Sequence, residues 1–249
     1  MVVLVACSSS YAARAVRSSE SGDSLTVVID AGHGGHDRGG IPGQRVAEKN
    51  MTLDVAQRLR NVLSGAGYHV VMTRDSDVFV PLATRVAIAN SYRNAIFVCI
   101  HFNATNRMGA SGIETYFYTR DSLPLASAVH YYVTGGAPSA NRGVRRRGYY
   151  VLRKTAIPAV LVECGFLTNP TEAAYAQTAS YRQKLAEEIA TGVRGRSSLG
   201  SASYIDQTKV AKSERHSSKR SHKKSARKKK SSSKPAGSEA RSGSINREA

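Results

Sequence analysis

Between residues 25 and 195, short apolar runs alternate with segments of helical period, and this alternation constrains the fold more than any other feature of the chain. Leu25-Thr26-Val27-Val28-Ile29-Asp30 is an apolar run ending in a Gly-rich loop, the signature of a buried strand. Over 48–63, Val55, Leu59, Val62 and Leu63 fall on one helical face, and Gly65 supplies a stop. The same reading predicts a strand at 68–73, a helix at 82–92, strands at 95–101 and 112–118, and a helix at 125–133. After a basic loop come strands at 149–153 and 159–163, then a terminal helix over 171–193 with Leu185, Ile189 and Val193 in step. Strands alternating with helices imply an α/β fold, a single three-layer domain whose largely parallel sheet of about six strands carries helices on both faces.

Beyond Gly195 the periodicity stops. The expected organisation is a signal remnant and Ser-rich tether at 1–24, a catalytic domain at 25–196, and a Lys/Ser-rich tail at 197–249. Too few apolar residues lie in that tail to offset the entropy of ordering it. The chain has a formal net charge of +18, and the tail holds 14 Lys and Arg against 4 Asp and Glu. Such a charge favours an anionic polymer or surface as the tail's partner, with salt weakening the attraction. No aromatic residues interleave with the lysines to stack bases, so no specific nucleic acid is expected. No stretch approaches the roughly 18 apolar residues of a membrane span.

Three scattered cysteines give no disulfide framework, and Cys99 and Cys164, inside apolar runs, read as buried thiols. Met1 to Ser8 is similar to the end of a bacterial lipoprotein signal, with Cys7 as the lipidated residue; the charged start and most of the apolar core are missing, so either the signal begins upstream or the match is fortuitous. The first alternative places the protein in the cell envelope, exported to the periplasm and lipid-anchored.

In open α/β sheets, sites form where the strands end at their carboxyl edge. His33 follows the first strand, Glu48 opens the first helix, His101 ends the third strand and Glu163 ends Val160-Leu161-Val162. Two imidazoles and a carboxylate can make a catalytic zinc set with one position open, and a second carboxylate can carry the proton. Each residue also has a plainer role: the glycine loop as a turn or anion nest, Glu48 as a charge favouring the helix N-terminus, Glu163 as a residue of the core.

The motifs decide between these readings. Ile29-Asp30-Ala31-Gly32-His33-Gly34-Gly35, Glu48-Lys49-Asn50, Thr73-Arg74, Arg85, Ile100-His101-Phe102-Asn103-Ala104, Gly112-Ile113-Glu114-Thr115-Tyr116, Asn141-Arg142-Gly143-Val144, Tyr150-Val151-Leu152-Arg153 and the run from Ala159 to Asn169 follow one another in a single order. Together they resemble the zinc-dependent N-acetylmuramoyl-L-alanine amidases of the amidase 3 family, over roughly residues 25 to 195. The resemblance implies His33, Glu48 and His101 as ligands of Zn2+ and Glu163 as the catalytic carboxylate. It also implies Asn103 and Arg142 as substrate contacts and peptidoglycan or muropeptides as substrate, cut at the lactyl amide to L-alanine. Glu114 is read either as a partner that orients an imidazole or as an exposed residue. The short interval between His101 and Glu163 leaves no room for the occluding helix of activator-controlled relatives. Arg38 and Gly39-Gly40 depart from the family's usual Pro-containing loop. His36 falls at a variable position and reads as a solvent- or substrate-facing residue rather than a ligand.

Three other readings compete: a polyanion- or wall-binding protein led by the tail, a metal-binding but inactive homologue, and a second, penicillin-sensitive serine carboxypeptidase activity through S-x-x-K tetrads at Ser221, Ser225 and Ser231. The tetrads lie in a Ser/Lys tract without the S-D-N and K-T-G partners.

Overall fold

The structure is a computed structural model and describes residues 25–197. Cys7, expected as a lipidation site, the tether, the S-x-x-K tetrads and nearly all of the basic tail fall outside the described residues. Among the described residues no helix is long and apolar enough to cross a membrane.

Six strands form one sheet in the order β2 (His69–Met72), β1 (Thr26–Ala31), β3 (Ala95–Asn103), β6 (Ala159–Phe166), β4 (Ile113–Phe117), β5 (Asn141–Arg146). The first four run parallel; β4 is antiparallel to β6, and β5 parallel to β4. The alternation of side chains along each strand builds two cores. Val27, Ile29, Val98, Ile100, Val160 and Val162 face a core shared with α1 (Glu48–Gly65), α3 (Leu123–Gly136) and α6 (Ala179–Gly195). Val28, Phe97, Cys99, Leu161 and Tyr116 face the other core, with α2 (Leu82–Asn90) and α4 (Tyr150–Lys154). The predicted three-layer α/β architecture is therefore the observed one.

Three local expectations are corrected. The strand expected at 149–153 is the short helix α4. Val151 and Leu152 are both buried in the same core, which one helical turn allows, whereas consecutive strand residues point to opposite faces. The segment read as a basic loop is instead the edge strand β5. Its backbone pairs with β4, and its Arg-rich side chains are half-buried or exposed, so it lacks the apolar file that marks an inner strand. The terminal helix is two helices, α5 (Pro170–Gln177) and α6. Thr178 between them is extended (ψ 135°), and its side chain accepts a hydrogen bond from Tyr181 N, an N-cap that starts a new helix.

Candidate metal centre and adjoining cleft

At the carboxyl ends of β3 and β6, the file of side chains that faces the second core changes from apolar to ionisable. On β3 it runs Phe97, Cys99, His101, and on β6 Ala159, Leu161, Glu163, with His101 and Glu163 in register. β1 enters the same edge and turns through Gly32 and His33. The backbone of His33 has φ 61°, left-handed for a residue with a Cβ. A conformation this sparsely populated persists only where surrounding structure enforces it. Here two buried guanidinium groups do so. Arg74 donates to the carbonyls of Ala31 and Gly32, both at 2.8 Å, and Arg85 to those of Ala31 and His33, both at 2.7 Å. Arg85 is itself anchored by the buried Asp30, which also accepts from Thr73 and from the Cys99 thiol. Burial pushes the Asp30 carboxyl up, but Arg85, Cys99 and Thr73 together hold it below its ordinary range. Burial, with the Asp30 charge beside it, holds the Cys99 thiol far above its ordinary range, and Cys164 is likewise a buried thiol.

The three donor residues expected from the sequence come together. Glu48 Oε1 is 3.2 Å from His33 Nε2 and 3.0 Å from His101 Nδ1, and one donor atom from each of the three residues lies within 4.8 Å of the others. His33 Nδ1 lies 2.7 Å from Asp37 Oδ2, an acceptor that fixes the proton on Nδ1 and turns Nε2 toward Glu48. Glu48 also accepts from Phe102 N and Gly40 N, both at 2.9 Å. Gly39 leaves the room for this: a Cβ there would fall 2.6 Å from Glu48 Oε2 and from the His33 ring. Gly39 and Gly40 thus shape the seat of Glu48.

Burial raises the Glu48 carboxyl, yet hydrogen bonds from His101 and His33 hold it well below the carboxylate range, so it is ionised. Burial lowers His33, but Asp37 and Glu48 overcome this and push it up to about 10. His101 is lowered by burial, with the His33 charge acting the same way against Glu48. Two imidazoles and a carboxylate within 4.8 Å of one another are a donor set that zinc could occupy. Metal–ligand bonds of roughly 2.0–2.1 Å at tetrahedral angles imply donor separations of roughly 3.3 Å, close to those observed about Glu48.

Glu163 and Tyr149 line the same cleft, of about 730 Å³, with His33, Glu48 and His101. His36 stands exposed at its rim, its ring 4.2 Å from that of Phe79, and does not belong to the donor trio. Asn103 and Arg142 line an adjoining cleft of about 530 Å³. Glu114 lines this second cleft too and pairs in register with Glu163 on β6; its contacts go to Arg142, Arg145, Tyr116 and Asn103 rather than to the imidazole of His33 or His101. Asp30, Asp37, Arg74 and Arg85 were not singled out by the sequence as parts of the site. Asp30, Arg74 and Arg85 had no signal there beyond membership of the shared motifs, and Asp37 had none, because what they hold is backbone and imidazole brought close by folding.

The sequence matches the family profile Amidase 3, described as N-acetylmuramoyl-L-alanine amidase, over residues 27–195. It is 35% identical over 171 residues to a protein of Staphylococcus epidermidis named "Probable cell wall amidase LytH", covering 68% of this chain and 57% of that relative. The chain thus spans little more than half the length of that curated relative. Among solved structures, the catalytic domain of the N-acetylmuramoyl-L-alanine amidase CwlV of Bacillus (Paenibacillus) polymyxa superposes with TM-score 0.67 at 33% identity, covering 70% of this chain and 99% of that one. An N-acetylmuramoyl-L-alanine amidase of Clostridium difficile 630 gives TM-score 0.68 at 35% identity, covering 72% and 99%.

Proposed function

Since the chain belongs to the Amidase 3 family of N-acetylmuramoyl-L-alanine amidases, we propose that it hydrolyses the amide between N-acetylmuramic acid and L-alanine in peptidoglycan, with zinc held by His33, Glu48 and His101. The observation that carries this reading is the convergence of these three donors in the cleft that Glu163 also lines. When bound, zinc supplies a Lewis acid for the scissile carbonyl and makes a water nucleophilic near neutral pH.

The chain's own residues do the rest. Glu163 takes a proton from the attacking water and delivers it to the departing nitrogen of L-alanine, the general acid–base role that a carboxylate in a half-enclosed cleft can fill. Asp37 accepts from Nδ1 of His33 and keeps Nε2 aimed at Glu48. Phe102 N and Gly40 N hold the Glu48 carboxylate in one orientation. Asn103 and Arg142, in the adjoining cleft, bind the peptide side of the scissile bond. A substrate of this kind places the enzyme in the cell envelope, in wall remodelling, turnover or cell separation. Cys7 serves as a lipid anchor there, and the basic tail binds an anionic wall polymer or surface.

The test is digestion of purified peptidoglycan with products read by mass spectrometry. Wild-type protein releases peptides beginning with L-alanine. Chelation abolishes release and added zinc restores it. Glu163→Gln lowers the rate by roughly 10²–10⁴-fold, the range of a lost general acid–base group, with metal content unchanged. Stems that stay attached to their glycan strands in the zinc-loaded wild type would refute the amidase reading.

A further inference from the structure

Beside the proposed catalytic cleft, two arginines of β5 converge on one buried carboxylate. Arg142 Nε lies 3.1 Å and Arg145 Nη2 3.3 Å from Glu114 Oε1. The other oxygen of Glu114 accepts from the Tyr116 hydroxyl and, at 3.3 Å, from Asn103 Nδ2. One carboxylate balances one guanidinium, so the group keeps a net positive charge. Both arginine side chains remain about a third exposed (35% and 31%), with donors to spare.

Arg142 is held in place. Its guanidinium lies over the Phe166 ring at 5.0 Å, and Nη1 donates to Ser111 O at 3.2 Å. Gly112 makes room for it, since a Cβ at that position would fall 2.6 Å from Arg142 Cγ. A guanidinium braced on an aromatic ring and a buried acid loses little freedom on meeting a ligand and presents a planar fork that matches a carboxylate. Arg107 lines the same cleft and adds to its positive potential.

The position of this cluster suggests which carboxylate. Glu114 pairs directly with Glu163 across the β4–β6 ladder, and neighbouring strands lie roughly 4.8 Å apart. That step compares with the roughly 3.3–3.6 Å rise per residue of an extended peptide. A stem whose first residue sits at Glu163 therefore brings its second residue to Glu114, whose carboxylate the guanidinium groups of the two arginines meet. Resting on the amidase reading above, we propose that Glu114, Arg142 and Arg145 form a subsite for a free carboxylate on the second residue of the peptide stem, by which the enzyme discriminates the acid from its amide.

The test compares two synthetic N-acetylmuramoyl tripeptides that differ only in carrying a carboxylate or a carboxamide on the second residue, together with the two free tripeptides as binding probes in calorimetry. The zinc-loaded wild type is expected to favour the acid by ~10-fold or more in kcat/KM and in affinity, the worth of a charge-assisted hydrogen bond. Arg142→Met, which keeps an apolar stem against Phe166, and Arg145→Gln are each expected to bring that ratio toward one with metal content unchanged. Melting curves check that each variant folds, and either alone suffices. Equal hydrolysis of acid and amide by the wild type overturns the subsite and leaves the amidase standing, as does an acid preference that survives both substitutions. Acid-selective binding of the free tripeptide without hydrolysis of either muropeptide supports the subsite and removes the amidase.

Discussion

Gly32 lies against the imidazole of His101 so closely that a β-carbon built on it would fall 2.4 Å from both Cε1 and Nε2 of that ring. Real Cβ atoms do not approach so near, so the glycine is where the first strand's loop must pass for His101 to stand beside Glu48. Gly32→Ala is expected to displace the His101 ring and weaken metal binding by roughly 10–100-fold, on the scale of other losses of ligand support. The fold should persist, because the loop's carbonyls remain held by Arg74 and Arg85. Titration with zinc in competition with a chromogenic chelator measures the loss, and wild-type affinity in the variant would refute the steric argument.

Asp37 orients His33 from outside the donor trio, through the 2.7 Å contact to Nδ1. Replacing it with alanine removes the acceptor at Nδ1 and frees the imidazole to rotate away from Glu48. Zinc affinity is expected to fall by roughly 10–100-fold, while Asp37→Asn, which retains an acceptor oxygen, loses less. The ordering of the two variants in the same competition titration separates orientation of the ring from simple loss of local packing.

The Asp30–Arg85 pair underlies the His33 turn and should be visible in stability. Asp30→Asn leaves the Arg85 guanidinium buried against a neutral amide, and removing one partner of a buried pair typically costs about 3–5 kcal/mol. Asp30 has a folded-state pKa below its unfolded value. Its contribution is therefore complete above the unfolded value, ~3.9, and is lost as pH falls through the folded one. Urea unfolding at neutral pH should show the full deficit for Asp30→Asn, and the gap to wild type should narrow as the pH is lowered below ~4. A gap independent of pH would mean that the carboxylate charge is not what stabilises the turn.

The reading of the sequence succeeded where burial wrote a pattern into it. The apolar runs of β3 and β6 lead up to His101 and Glu163, and that of β1 gives way to the glycine loop that carries His33, because an unpaired ionisable group is costly inside a core. Glu48 had no such signal, since a Glu opening a helix is equally well explained by the helix dipole. Its identity as the vertex of the trio was legible only through the order of the motifs. The Thr178 cap had a signal, a Thr within a helical run three residues before the N–H it caps, but the continuing apolar period of α6 masked it.

By itself, then, the sequence determined the layered α/β architecture and the three strand ends that meet at the site, because both follow from hydrophobic periodicity along the chain. Tertiary structure alone decided the rest. Backbone pairing with β4 made a strand of the polar segment Asn141–Arg146, and packing against the second core made a helix of Tyr150–Lys154. The partners of Glu114 were decided in the same way, as were the two arginines that clamp the His33 turn. These features rest on contacts between residues far apart in the chain, whose energies come from hydrogen bonds and charges that leave no period for a linear reading to detect.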